Sequence, residues 1–297
     1  MEKSMFNGAH TALVTPFRER EFDEPAFREL IDTQFENGIA GIVPCGTTGE
    51  SPTLSHDEHA RVIEIAIDAA KGRGLVIAGT GSNSTREAIA MTQSAERAGA
   101  DAALLVCPYY NKPSQEGLFQ HYKAIATSTK LPLMLYSIPG RSVIEITVDT
   151  QERLHNQCPN IMAMKEAGGS PDRVSQIRER LPDSYQVLSG DDALTLPFME
   201  RGAVGVVSVA SNLIPAKLSS LVSSMLSGNL EQAKTIDAEC APLFEGLLSL
   251  ETNPVPIKEA LAIAGLMTNE LRLPLTCLSN EKHDQLTRML QKFGLAD

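Results

Sequence analysis

The sequence predicts a closed eight-stranded parallel β/α barrel, a TIM barrel, followed by a C-terminal helical subdomain. Three observations carry the prediction. Eight short apolar runs recur along the first three quarters of the chain, segments of helical period lie between them, and beyond about residue 224 helical segments follow one another without further strands. An open doubly wound sheet more often stops at about five to seven strands, so eight units favour closure. The expected division is a barrel over 1–224 and a helical subdomain over 225–297.

The strand-like runs open at His10 (HTALVTPF), Ala40 (AGIVPCG), Leu75 (LVIAGTG), Ala102 (AALLVCP), Pro132 (PLMLYSIP), Ile161 (IMAMKEA), Gln186 (QVLSGDD) and Gly205 (GVVSVAS). Between them, segments such as 24–35, 56–70, 85–98 and 116–127 repeat apolar residues at i, i+3, i+4 and i+7, the period of a helix with one buried face. After the last run, 229–249, 254–266 and 281–293 read as helices.

Composition narrows the function. The 297 residues are 42% apolar, enough for a sizeable core, and 26 Lys plus Arg against 37 Asp plus Glu leave a formal charge of −11. That balance speaks against nucleic acid as a partner, because phosphate-backbone binding needs clustered positive charge. The longest uncharged stretch of mostly small or apolar residues, 202–216, contains Asn212 and Pro215 and is shorter than the ~18 residues a membrane helix requires. The first ten residues hold no apolar run of signal-peptide length, so the cytoplasm is the expected compartment. Five scattered cysteines without a C-x-x-C pair read as reduced thiols.

In this fold the active site lies at the C-terminal ends of the strands. Thr47, Thr48 and Glu50 follow the second run, Tyr109 and Tyr110 the fourth, Tyr136 and Arg141 end or follow the fifth, Lys165 ends the sixth, and Gly190, Asp191 and Asp192 follow the seventh. Lys165 is the most informative, because the strand before it, Ile161 to Met164, is wholly apolar. Burial lowers a lysine pKa, and bringing it from about 10.4 to 7 costs ~4.6 kcal/mol, part of which a barrel interior supplies to make an amine nucleophile. The alternative is a structural lysine paired with Glu166, which strand alternation makes awkward by pointing the carboxylate to the opposite face.

Tyr109, Tyr110 and Tyr136 sit at strand ends in a chain with no Trp, where a phenol can relay protons or simply pack at the barrel rim. In Gly46-Thr-Thr-Gly49, small residues let hydroxyls and backbone N–H groups approach a carboxylate or oxyanion, though such loops are common. Gly79-Thr-Gly81-Ser-Asn-Ser lacks the third glycine of a dinucleotide loop, and no glycine loop is followed by G-K-[S/T], so no nucleotide cofactor is expected. His56-Asp-Glu-His59 could place two imidazoles on one helix face but has no evident further ligands, so no metal is expected either.

From end to end the chain resembles the pyruvate-dependent class I aldolases of the dihydrodipicolinate synthase and N-acetylneuraminate lyase family. The resemblance runs through Gly46-Thr-Thr-Gly-Glu-Ser51, His56-Asp-Glu-His59, Ala78-Gly-Thr-Gly81, Pro108-Tyr-Tyr-Asn-Lys-Pro113, Tyr136-Ser-Ile-Pro-Gly-Arg141, Lys165-Glu-Ala167, Ser189-Gly-Asp-Asp192 and Asn253-Pro-Val-Pro256. It implies a cofactor-free lyase in which Lys165 forms an imine with pyruvate. Thr47, Tyr136 and Tyr110 would form a proton relay, with Tyr110 entering from a neighbouring subunit of a homotetramer built as a dimer of dimers. Thr48, Gly190 and Val207 would hold pyruvate. Arg141 would take the carboxylate of L-aspartate 4-semialdehyde, which separates the synthases of the diaminopimelate route to L-lysine from lyases of sialic acid or 2-keto-3-deoxy sugar acids.

Ser51, Pro52, His56, His59, Asn83, Glu87 and Tyr109 match positions at which lysine-sensitive members bind L-lysine as feedback inhibitor. Asn83 and Glu87, four apart, are expected on one helix face. Two departures stand out. The family commonly reads Tyr-Asn-x-Pro-x-Arg-Thr where this chain has Ser137 and Ser142, and the shorter Ser137 would loosen the loop that aims Arg141. A non-catalytic binding module on a barrel scaffold is the reading from another class, since fold alone does not fix chemistry.

Overall fold

The computed structural model describes residues 5–296, so residues 1–4 and 297 of the expected domains lie outside it. Eight parallel strands close a barrel as expected: β1 (Gly8–Ala12), β4 (Gly41–Val43), β5 (Leu75–Gly79), β6 (Ala102–Val106), β7 (Leu133–Ser137), β8 (Ile161–Glu166), β9 (Gln186–Ser189) and β10 (Gly205–Ser208). They run around the barrel in chain order, and β1 closes it by pairing with both β4 and β10. The remaining two strands, β2 (Phe17–Arg18) and β3 (Glu21–Phe22), form a small separate hairpin that the apolar pattern did not announce.

Helices occupy the expected intervals, including His56–Ala70 and Thr85–Ala98, and the C-terminal part is the helices Leu230–Ser249, Val255–Ile263 and Asn280–Lys292. Among the described residues no helix is long and apolar enough to cross a membrane. All five cysteines are free thiols, four of them buried.

Alternation along each strand divides the core in two. Ala12, Val43, Ile77, Leu104, Met134, Ala163, Leu188 and Val207 fill the barrel interior, while their neighbours Ile42, Val76, Leu105, Leu135, Met164, Val187 and Val206 pack outward against the helices. The same parity turns Tyr136 and Lys165 inward and Glu166 outward, as the sequence reading required. Outside the barrel Glu166 meets Arg173 at 3.6 Å and accepts the Gly168 N–H at 2.7 Å.

Candidate active site

The strand register brings the two central groups together. Tyr136 on β7 is the direct neighbour of Lys165 on β8, and the lysine Nζ lies 4.2 Å from the centroid of the tyrosine ring. Lys165 is 5% exposed. Burial lowers its pKa to about 8; the Asp192 carboxylate opposes that fall and the Arg141 charge adds to it. Burial also pushes the Tyr136 phenol up to about 12, against the Arg141 charge and a hydrogen bond with Thr47. A neutral amine is therefore accessible close to neutrality while the phenol keeps its proton. Since only the unprotonated amine attacks a ketone, the rate of imine formation with pyruvate is expected to rise with pH and level off above about pH 8. A stopped-flow pH series measures it, and a flat profile between pH 6 and 9 would contradict the assignment.

A cavity of about 140 Å³ opens above these groups, walled by Thr47, Thr48, Tyr136, Arg141, Lys165 and Gly190 and by Asp191, Asp192, Val209 and Asn253. Gly190 is there because nothing larger fits: a Cβ would stand 2.7 Å from that of Ala167 and 3.0 Å from Lys165 Cε. Val207 is not part of the wall. It lies fully buried in the barrel interior, and Val209, two residues on and just past the end of β10, lines the cavity instead. Thr48 Oγ1 accepts a hydrogen bond from Asn253 Nδ2 at 3.0 Å, and Arg141 donates to Asn253 O at 2.9 Å. The Arg141 loop thus gains from residue 253 the hold that Ser137 was expected to weaken. Ser137 itself is buried and accepts the Ile146 N–H at 3.3 Å, while Ser142 Oγ donates to Ile144 O at 2.8 Å.

A second cavity of about 440 Å³ shares Gly46, Thr47, Tyr136, Ile138 and Arg141 with the first. Ser51, Pro52, His56, His59, Glu87 and Tyr109 all line it. His56 Nε2 lies 2.8 Å from Glu87 Oε1, and Ser82 Oγ donates to the other Glu87 oxygen. These two contacts, the serine's first, hold the Glu87 carboxyl below the usual carboxylate range, so it is charged at neutral pH. His59 is buried, with Nε2 2.8 Å from Gly79 O.

Asn83 corrects the sequence reading. It precedes the helix Thr85–Ala98, whose N-cap is Ser84, so it does not share a helix face with Glu87, and it is absent from the cavity wall. Its amide donates to Tyr109 O at 3.1 Å, and its carbonyl accepts from Asn111 Nδ2 at 2.9 Å, which makes it a brace for the tyrosine loop. The two tyrosines of that loop diverge. Tyr109 is 39% exposed and faces the larger cavity, whereas Tyr110 is 89% exposed and lines neither cavity. Within one chain Tyr110 does not meet Thr47 and Tyr136.

Asn253, Asp192 and Ser82 went unassigned in the sequence. Asp192, at a strand end, was visible as a candidate; its Oδ2 accepts the N–H groups of Val209 and Ala210 at 3.0 and 2.9 Å, fixing the loop after β10. Asn253 stood in a motif of the family resemblance, but nothing local pointed to its partner Thr48, which lies more than two hundred residues earlier in the chain.

The chain matches the dihydrodipicolinate synthetase family over residues 5–293. It belongs to that family. It is 50% identical over 291 residues to the 4-hydroxy-tetrahydrodipicolinate synthase of Syntrophus aciditrophicus (strain SB), covering 98% of this chain and 99% of that one. The solved 4-hydroxy-tetrahydrodipicolinate synthase of Methylacidiphilum fumariolicum SolV superposes with a TM-score of 0.96 at 52% identity, covering 97% of this chain and 96% of that one. Two other family structures carry small molecules. The Acinetobacter baumannii synthase complexed with pyruvate has a TM-score of 0.94 at 43% identity, covering 97% and 99% of the two chains. The Cyanidioschyzon merolae synthase with lysine bound has a TM-score of 0.95 at 41% identity, covering 99% and 100%.

Proposed function

We propose that this chain is a lyase that condenses pyruvate with L-aspartate 4-semialdehyde to 4-hydroxy-tetrahydrodipicolinate, in the diaminopimelate route to L-lysine. The observation that carries the reading is a buried lysine of lowered pKa against the ring of a protonated tyrosine, in a small cavity with an arginine at its mouth. The Lys165 amine attacks the ketone carbon of pyruvate, Tyr136 protonates the departing oxygen, and water leaves as the imine forms. Loss of a methyl proton gives the enamine, whose carbon attacks the aldehyde. The amine of the new adduct then closes onto the imine carbon, expelling Lys165 and leaving a six-membered ring.

Thr47 passes protons between Tyr136 and Tyr110 of a neighbouring subunit, and Thr48 with Gly190 holds the pyruvate carboxylate. The outward position of Tyr110 supports a shared site, in keeping with a homotetramer built as a dimer of dimers. Of the described residues, 5–224 form the catalytic barrel and 225–296 the helical subdomain, and the enzyme works in the cytoplasm.

Arg141 takes the carboxylate of the aldehyde. A hydrogen bond to a charged group is worth about 1.5–3 kcal/mol. Arg141→Ala should therefore raise the KM for aspartate semialdehyde about 10- to 100-fold while pyruvate is still trapped on Lys165. Steady-state assays with aspartate semialdehyde and with 2-keto-3-deoxy sugar acids test the substrate assignment; faster cleavage of the sugar acids than condensation would assign the site to a sugar-acid lyase instead.

The larger cavity binds L-lysine as inhibitor. The charged Glu87 suits its ammonium group, with His56, His59, Ser51, Pro52 and Tyr109 around it. Thr47 and Tyr136 border both cavities, so an occupant has a short route to the catalytic groups. Millimolar L-lysine should inhibit the wild type, and Glu87→Ala should raise the half-inhibiting concentration at least about tenfold, the loss of one charge-assisted contact. An uninhibited wild type would remove this part of the proposal alone.

A further inference from the structure

The loop that carries Thr47 and Thr48 is bent at both ends into the left-handed region, at Cys45 (φ 56°) and Glu50 (φ 51°). Neither is glycine, so surrounding contacts must hold the backbone there. Part of the hold is local: the Glu50 N–H donates to Thr47 O at 3.1 Å, and Thr15 Oγ1 donates to Gly49 O at 2.7 Å. The rest comes from the C-terminal part of the chain, from the helix Val255–Ile263 and the segment after it. The side chains of Glu50 and of Lys258, on the helix Val255–Ile263, are both wholly buried and form an ion pair. Lys258 Nζ also donates to Thr15 O at 2.9 Å. The other Glu50 oxygen accepts the Arg272 N–H at 3.1 Å, and the Arg272 guanidinium continues to Thr53 O and to Glu58.

Two buried oxygens directed at two different partners fix the carboxylate, and with it the turn whose first carbonyl belongs to Thr47. Neither Glu50 nor Lys258 lines the two cavities that meet at Thr47. A buried ion pair is a weak source of net stability, because desolvating both charges offsets most of their attraction, and apolar side chains of similar volume often serve the fold as well. Its position directly behind the threonine loop is what distinguishes this pair.

We propose that Glu50 and Lys258 are positioning residues for catalysis, a buried ion pair through which a C-terminal helix aims Thr47 and Thr48 at the reacting pyruvate. The inference rests on the roles given to those threonines above. Lys165 stands on its own strand, β8, so the nucleophile does not depend on the pair; the relay and the carboxylate site do.

The test compares wild type with the paired variant Glu50→Leu/Lys258→Met, which removes both charges and leaves no unpaired ion. Active sites are counted by pyruvate and borohydride trapping on Lys165, and kcat is expressed per trapped site, so that a partly unfolded population does not lower it. The expected result is trapping in both proteins and a kcat per site about 10- to 100-fold lower in the variant, the scale of loss when reacting groups are misplaced by about an ångström. A loss smaller than fivefold overturns the proposal. Should the paired variant not fold, Glu50→Gln decides by the same fivefold threshold. A wild type that traps no pyruvate would instead overturn the assignment of the reaction.

Discussion

Lys165→Ala is expected to abolish condensation, with kcat lowered on the order of 10⁴-fold or more, and to leave no borohydride-stable adduct with pyruvate. The magnitude follows from removing the nucleophile itself, since no neighbouring group replaces a covalent intermediate. The other buried amine near the site, Lys258, is committed to Glu50 and Thr15 and lies outside the cavity. The fold should survive, because the ammonium of Lys165 is disfavoured by burial and the side chain is not held by an ion pair among the described residues. Retention of the adduct in this variant would place the nucleophile elsewhere.

Tyr136→Phe is expected to lower kcat by about 10²- to 10⁴-fold, the usual range for loss of a positioned general acid or base. The ring contact with Lys165 and the packing in the barrel interior remain, so thermal stability should change little and pyruvate should still be trapped on prolonged incubation. Such a split between slow chemistry and retained binding marks a group that acts in the transition state. A loss below tenfold would reduce Tyr136 to a wall of the pocket.

The fold and the heart of the site are legible in the sequence because both depend on short-range periodicity. Eight apolar runs gave the strand count, and alternation by itself separated Lys165 from Glu166, which the structure pairs with Arg173 on the outer face. Long-range partnerships were not legible. Thr48 with Asn253, and Glu50 with Lys258, join segments that only the closed barrel and its C-terminal helices bring together.

The hairpin of β2 and β3 shows the same limit. Its turn puts Glu19 and Arg20 at φ 54° and 70°, a conformation usually announced by Asn-Gly. Here Glu270, far along the chain, accepts both N–H groups at 2.9 Å and takes the place of that signal. Asn83 is a different case. Ser84-x-x-Glu87 has the form of a helix start, and that pattern read strictly places residue 83 outside the helix.

The measurement that tests the account most directly is peptide mapping of wild-type protein treated with pyruvate and borohydride. The account predicts one reduced pyruvate adduct per chain, on Lys165, whose formation competes with turnover when aspartate semialdehyde is added. An adduct on another lysine, or none in protein that is folded and active, would contradict it.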